Sequence, residues 1–444
     1  MAEQPHFKQS LGLFDATMIV AGSMIGSGIF IVSSEITRNV GSSGWMIAVW
    51  VITGFMTITA ALSYGELSSM YPKAGGQYVY LREAYNPMFG FLYGWSFFAV
   101  IQTATIAAVA VAFARFTAYL VPGVGEDNVL WQIQTGTNDE GLPEYFRLNA
   151  AQLLGIASIL FLTYTNTKGV KGGKIIQTTF TSAKLLALFG LIIFGFLLAK
   201  QNFWAENWQT GFNAQQNLKG DGWTDISGLV LAGAVSVAMV GSIFSSDAWN
   251  NVTFIAAEIK NPKRNIGLSL FLGTLIVTII YVAANLMYLY VLPLEGIAFA
   301  KNDRIGVSAA EQFLGNAGSL FIAVLIMVST FGCNNGLILA GARVYYTMAK
   351  DGLFFKKTGT LNKHSVPGYA LWIQAAVASL LCLSGRYGDL LTMISFVVVI
   401  FYVLTLLGIF ILRKKRPDIE RPYKAFGFPV FPILYIILAV AFCA

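Results

Sequence analysis

Two short stretches of this chain concentrate glycine and serine where an uninterrupted apolar helix has no need of them. They are Gly22-Ser23-Met24-Ile25-Gly26-Ser27-Gly28-Ile29-Phe30 and Gly241-Ser242-Ile243-Phe244-Ser245-Ser246-Asp247-Ala248-Trp249, each in the middle of a long apolar run. A helix broken there frees backbone groups that hydrocarbon cannot satisfy, so a break survives only where protein or a polar cavity covers it. The half-helix that resumes offers N–H groups and a positive dipole end to a carboxylate. The half-helix that ends offers carbonyls to an ammonium. An α-amino acid carries both groups on one carbon. Two local alternatives stand beside this chemistry: Gly22 and Gly26, spaced as GxxxG, could serve close helix packing. Ser245, Ser246 and Asp247 could cap a helix resuming at Ala248.

A third feature is a cation at depth. Lys184 lies roughly 14 Å into an apolar segment that begins at position 175, counted at about 1.5 Å per residue. Burying it costs at least about 2.5–3.5 kcal/mol, and such groups line a pathway or have partners. The plainer alternative is that Lys184 snorkels to an interface.

The elements that must position these residues are membrane spans. Of 444 residues, 56% are hydrophobic and 11% charged, with a mean hydropathy of +0.65, whereas soluble domains carry roughly 25% charged residues. Apolar runs repeatedly reach about 20 residues, the length that crosses a bilayer. Breakers place five spans at 11–40, 45–71, 87–120, 149–165 and 175–199, and five more at 226–257, 265–293, 318–346, 367–386 and 389–412. An eleventh run, 430–444, is short for a crossing, and a chain truncated there is the expectation. The predicted fold is an all-α integral membrane bundle, one domain over 1–444, with two repeats at about 11–200 and 226–412. Because five spans is an odd number, the repeats have opposite topology, and breaks in corresponding spans mark a carrier's binding site.

Most of the 29 Lys and Arg fall in alternate connections, from Lys8 through Lys73, Lys168, Lys260 and Lys350 to Arg413–Lys424, while Arg38, Arg147, Lys200, Lys219, Lys301, Arg304 and Arg386 lie opposite. Only Arg115 and Lys184 fall inside spans. The bias predicts a cytoplasmic N-terminus in the cell membrane. The net charge of +7 suits an anionic inner leaflet and calls for no nucleic acid. The first run is followed by more spans, which argues against a cleaved signal peptide. Cys333, Cys382 and Cys443 read as buried thiols. His6 and His364 are the only histidines and both lie outside the spans, so neither a metal site, a cofactor nor an enzyme is expected. A channel would need a continuous polar path, and the embedded charges here are isolated. Glu66 could relay protons, but its place near the end of the second span favours a tie to a basic loop.

The chain resembles the L-amino acid transporter family of the amino acid, polyamine and organocation superfamily. The likeness runs from Leu11-Gly12-Leu13-Phe14-Asp15-Ala16 into Gly26-Ser27-Gly28-Ile29-Phe30, and through Tyr64-Gly65-Glu66-Leu67 and Tyr71-Pro72-Lys73-Ala74-Gly75-Gly76. It recurs in Glu258-Ile259-Lys260-Asn261-Pro262 and in Gly341-Ala342-Arg343-Val344-Tyr345-Tyr346-Thr347-Met348-Ala349-Lys350-Asp351-Gly352. The resemblance implies a LeuT-type five-plus-five inverted bundle, with twelve spans in the family, working by alternating access as a sodium-independent exchanger of neutral L-amino acids. It implies a substrate carboxylate on the N–H groups near Ser27, Gly28 and Ile29, beside Ile25 and Gly26. The amino group would lie on carbonyls near Gly22, Ser23 and Phe244, with Phe244 also the gate and Ser245, Ser246 and Asp247 in the site. It implies that Lys184, with Ser329 and Thr330 as hydroxyl neighbours, stands where sodium-coupled relatives bind sodium, as a tethered cation that replaces sodium and could change protonation as the carrier turns over. Many relatives have an aromatic residue where Ser246 stands and glycine where Ala248 stands, so the pocket differs here. Animal heteromeric members use a cysteine between the third and fourth spans to link a glycoprotein. The connection 121–148 has none, so no disulfide-linked heavy subunit is expected. A proton-coupled symporter and an amine or polyamine carrier remain open.

Overall fold

Apolar helices satisfy their own backbone and so fill a membrane bundle. The computed structural model of the chain describes residues 7–137, 143–383 and 387–443. His6, Arg386 and Ala444, and the side chains of Lys171 and Asp389, lie outside the described residues. Seven helices there are long and apolar enough to cross a membrane by length and composition. Leu13–Met24, Gly368–Leu383 and Val430–Cys443 are shorter apolar helices.

The first span is interrupted as expected: helix Leu13–Met24, a 3-10 turn Gly28–Phe30, then helix Val32–Val40. Ser43–Met70 follows, its N-terminus capped by Ser42. The third span begins on Pro87 behind the Asn86 cap and contains a π-helical turn, Phe97–Ile101, before continuing as Gln102–Leu120. An all-α expectation misses two small hairpins, one of them the two-residue pairing of Gln215–Gln216 with Thr224–Asp225. Strands Val129–Thr137 and Pro143–Asn149 pair antiparallel between the third and fourth spans. The fourth and fifth spans are Ala150–Thr167 and Val170–Leu198.

Gly228–Ser245 forms the first part of the sixth span, and the helix resumes only as the single turn Asn251–Phe254. The sequence places the restart at Ala248, and this is corrected by the backbone: Ala248 has φ +63°, a left-handed conformation incompatible with helix. Nor do the serines cap a restart. Ser245 Oγ donates back to the Gly241 carbonyl at 2.7 Å, and Asn250 precedes the new turn without a side-chain cap. Pro262–Val291 is the seventh span. The eighth span is Ala317–Lys350; a shorter helix beginning at Ile305 precedes it, and the two join through Gly315, where φ is +63°. Tyr387–Lys415 is the tenth.

The family-like motifs converge on the face that carries the N-terminal segment. Leu11 pairs with Ile259 as a short parallel bridge. Glu258 accepts from Arg343 Nε at 2.8 Å, both side chains 1% exposed. Thr347 donates to the Ala74 carbonyl, and Gly75 N–H to that of Phe254. Arg82 pairs with Asp351. Glu66 is fully buried, bound by Arg413 at 2.7 and 3.0 Å and by the Ala425 N–H at 2.7 Å, which is the tie to a basic loop. Arg38 and Asp303 pair elsewhere at 2.6 Å. Arg115 needs a different description from the one its place in a span suggests: it sits near the end of its helix, 39% exposed, on Glu126.

Candidate functional site

The helix Leu13–Met24 ends because Gly26 and Gly28 are poor helix residues and because its last carbonyls find better partners than the next turn. Lys184, midway along the fifth span and fully buried, supplies that partner. Its Nζ donates to the Gly22 carbonyl at 2.5 Å and to the Ile25 carbonyl at 2.6 Å. A cation at a helix C-terminus meets the negative end of the dipole, and charge-assisted bonds are the strong ones. Ser329 Oγ reaches the Ile25 and Gly26 carbonyls at 3.2 and 3.4 Å. Cys333, one helical turn beyond Ser329, places its Sγ 3.0 Å from the Ser23 carbonyl. Thr330 does not join this group, because its hydroxyl bonds carbonyls of its own helix, Ile326 and Met327.

These bonds bear on the carbonyls expected to hold a ligand's amino group. The carbonyls assigned to a ligand's amino group are already engaged: Gly22 by Lys184, Ser23 by Cys333, and Phe244 by the Asp247 N–H at 3.2 Å. One ammonium already on the first break is that of Lys184. The N–H side is different. No described residue accepts from the N–H groups of Gly26, Ser27 or Gly28, which run consecutively through the break. Successive N–H groups of this kind form an anion-binding concavity.

The two breaks meet. A Cβ on Gly28 would lie 2.0 Å from Ser245 Oγ and 2.7 Å from Ser245 Cβ, so glycine is required there by contact with the sixth span. The Tyr281 hydroxyl lies 3.1 Å from the Met24 carbonyl and 3.0 Å from the Ser245 carbonyl, bridging the ends of both half-helices. The GxxxG alternative separates into two cases. A Cβ on Gly22 would lie 2.2 Å from Gln177 Nε2 and from Thr181 Oγ1, so Gly22 does serve close packing. On Gly26 it would meet only Cys333 Sγ at an ordinary 3.6 Å, so packing does not explain Gly26.

At the sixth break, Phe244 is half-buried against the core, and Asp247 accepts from the Tyr402 hydroxyl at 2.5 Å. Asp247 and Tyr402 line two small cavities. One extends toward Gln77, Phe97, Gln102 and Asn250, the other toward Thr57, Ser246 and Tyr435. The π-helical turn brings Phe97 and Ile101 to the first cavity, and such turns recur at functional sites. No described residue donates to the carbonyls of Ser246 and Asp247. Tyr281 and Cys333 are the site residues the sequence does not announce. Only the one-turn spacing from Ser329 to Cys333 could have flagged the thiol.

Comparison with known proteins agrees with this architecture. The model of the family described as amino acid permease matches residues 11–444. The b(0,+)-type amino acid transporter 1 of Mus musculus is 28% identical over 436 residues, covering 98% of this chain and 81% of the relative. The large neutral amino acids transporter small subunit 2 of Mus musculus is 30% identical over 434 residues, covering 97% of this chain and 75% of the relative. A likeness spanning both helix breaks and every motif that joins them places the chain in the amino acid permease family, a family of membrane transporters and not of enzymes.

Proposed function

We propose that this protein is a sodium-independent carrier of neutral L-amino acids that exchanges them by alternating access, with its N-terminus in the cytoplasm and its two five-span repeats, about 11–200 and 226–412, in opposite topology. The observation that carries this reading is the Lys184 ammonium seated on the Gly22 and Ile25 carbonyls. A fixed cation at that place does what a coupling sodium ion would do, so no sodium is needed to complete the break. The consecutive N–H groups of Gly26, Ser27 and Gly28 take the substrate carboxylate. The amino group turns to the sixth break, where the carbonyls of Ser246 and Asp247 and the Asp247 carboxylate are the acceptors. Phe244 closes over the ligand, and Ser245 holds the two breaks together through Gly28. The similarity to transporters named for large neutral and b(0,+)-type amino acid transport supports the substrate class. The chain works without a disulfide-linked heavy subunit, since 121–148 holds no cysteine.

Uptake of labelled L-amino acid into proteoliposomes tests this. It should persist when sodium is replaced by choline, and amino acid inside the vesicle should accelerate it. Loss of uptake in choline at constant pH overturns the sodium claim. Equal uptake into empty vesicles driven by a pH gradient makes the protein a symporter.

Asp247 favours a second reading. A carboxylate lining the cavity beside the break would also attract a cationic side chain. Asp247→Asn keeps the shape and removes the charge. If cationic L-amino acids compete for wild-type uptake, and in the variant lose about tenfold or more affinity beyond the loss shown by neutral ones, the substrate class includes them. Competition by neutral amino acids alone leaves the first reading in place.

A further inference from the structure

The hairpin between the third and fourth spans has two faces of different kind. Its strands, Val129–Thr137 and Pro143–Asn149, pair with Trp131 opposite Leu148, Gln132 opposite Arg147, Ile133 opposite Phe146 and Gln134 opposite Tyr145. Residues directly opposite each other in an antiparallel pair share a face, and successive residues along a strand alternate between faces. Trp131, Ile133, Phe146 and Leu148 therefore make one face, which is wholly apolar. Gln132, Gln134, Tyr145 and Arg147 make the other. Ring contacts agree with this division: Trp131 meets Phe146 edge-on at 6.3 Å, and the Arg147 guanidinium lies 5.7 Å from the centre of the Tyr145 ring. The apolar face is open, with Trp131 52% and Ile133 50% exposed. A two-stranded hairpin is marginal on its own in water, and an antiparallel sheet ordinarily packs its apolar face on a core. This face needs a cover.

Position and size decide what covers it. The second strand runs into the fourth span without a linker: Asn149 ends the strand and also caps the helix Ala150–Thr167, its Oδ1 accepting from the Gln152 N–H at 2.9 Å. The other leg is tied to the same place, where the Ala150 N–H donates to the Asn128 carbonyl at 3.0 Å. Leu153 and Leu160, two turns apart on one side of that helix, are exposed as a lipid-facing side requires, and Tyr119 and Val121 are exposed at the end of the third span. Both roots of the hairpin thus stand at the edge of the hydrocarbon. Trp and Tyr concentrate at that edge, and an Arg there reaches toward water along its apolar stem. Two half-exposed side chains beside the partly covered Phe146 and Leu148 offer at most a few hundred Å², well short of the about 800 Å² per partner of a standard protein interface. The face is too small to hold a second copy or a soluble partner. We propose that it seats in the interfacial layer of the bilayer, between headgroups and acyl chains, with Trp131 and Ile133 inserted and Gln132, Gln134 and Arg147 turned to water. Interfacial anchors set the tilt and rotation of the spans they join, so the seated hairpin holds the third and fourth spans at a fixed depth. The inference rests on the spans alone and not on the substrate carried.

Spin labels on the full chain, in nanodiscs holding one transporter each, test the seat in a Cys443→Ser background, where the remaining thiols Cys333 and Cys382 are buried. A label on Ile133→Cys should collide far more with oxygen, which concentrates in lipid, than with a water-soluble nickel chelate. A label on Gln132→Cys, from the opposite face, should show the reverse. Equal access of the chelate to the two positions puts the apolar face in water and overturns the proposal. A label on Ile133→Cys shielded from both reagents means that protein covers the face, which overturns it as well. Because the label replaces an inserted residue, a second measurement uses unlabelled protein. Fluorescence of the wild type, which has nine tryptophans, should be quenched by lipids brominated at the headgroup end of the acyl chain to a greater extent than that of Trp131→Gln, compared in proteins with the same thermal melting. Quenching that does not fall in Trp131→Gln places that ring outside the bilayer and contradicts the proposal.

Discussion

The two helix breaks solve the same backbone problem in opposite ways. At the first, every exposed carbonyl from Gly22 to Gly26 is met by another span: Lys184 from the fifth, Tyr281 from the seventh, Ser329 and Cys333 from the eighth. Its N–H groups at Gly26, Ser27 and Gly28 have no acceptor among the described residues. At the sixth, the chain runs without helix from Ser246 to Asn250, turns through a left-handed Ala248, and leaves the carbonyls of Ser246 and Asp247 without a donor among the described residues. The difference separates two jobs that glycine and serine content alone does not distinguish. The first break is held by an internal cation, and on the proposed reading it takes an anion, whereas the sixth is longer, carries the acid Asp247, and faces two cavities.

The harshest way to break this comparison is to separate the two segments. Gly28→Val should abolish amino acid binding, because its Cβ cannot share space with Ser245 at 2.0 Å and a β-branched residue further restricts the backbone. Since that variant could fail by unfolding, Gly28→Ala combined with Ser245→Gly is the sharper test. Gly28→Ala alone should lose most binding, and the double variant should recover much of it. No recovery in the double variant, measured on folded protein, would mean that Gly28 is required by something other than Ser245.

Removing the lock should have the next largest effect. Lys184→Ala leaves the Gly22 and Ile25 carbonyls buried without a donor, at a cost of about 1–3 kcal/mol. Transport should fall by about tenfold or more, with equilibrium binding less affected than turnover. Equal rates at every substrate concentration would make Lys184 a structural residue only.

The smallest effect is expected at the sixth break. Ala248 holds φ +63°, where an L side chain costs about 1–2 kcal/mol, and glycine relieves this at some cost in unfolded-chain entropy. Ala248→Gly should therefore leave thermal stability unchanged or raise it by less than about 1 kcal/mol, read as a small rise in Tm. A clear loss of stability would show that the alanine methyl packs usefully against its surroundings.

Much of this was legible in the residues. Runs of about 20 apolar residues mark spans because hydrocarbon leaves no other way to satisfy a backbone. Gly22 to Gly28 and Gly241 to Asp247 mark breaks because their residue types are poor within a helix. Lys184 stands out because a lone cation at depth must have partners. What could not be read is which partner each group finds. The Gly22 carbonyl faces a lysine far along the chain, a fact of tertiary packing with no local sign. Cys333 and Tyr281 look like ordinary core residues until the eighth and seventh spans fold against the first. The restart at Ala248 is misplaced because good caps precede it, yet Ser245 bonds backward to Gly241 instead. The hairpin at Val129–Thr137 carries an alternating pattern in Trp131, Gln132, Ile133 and Gln134 that is easily overlooked in a polar connection.

The central claim is that the first break binds the carboxylate of an amino acid while Lys184 occupies its carbonyls. A structure of the protein with an L-amino acid bound, in sodium-free solution, tests it most directly. The predicted result is a carboxylate within hydrogen-bond distance of the N–H groups of Gly26, Ser27 and Gly28, with Lys184 still on the Gly22 and Ile25 carbonyls. A ligand whose carboxylate sits elsewhere, or whose own ammonium has displaced Lys184 from those carbonyls, would contradict the account.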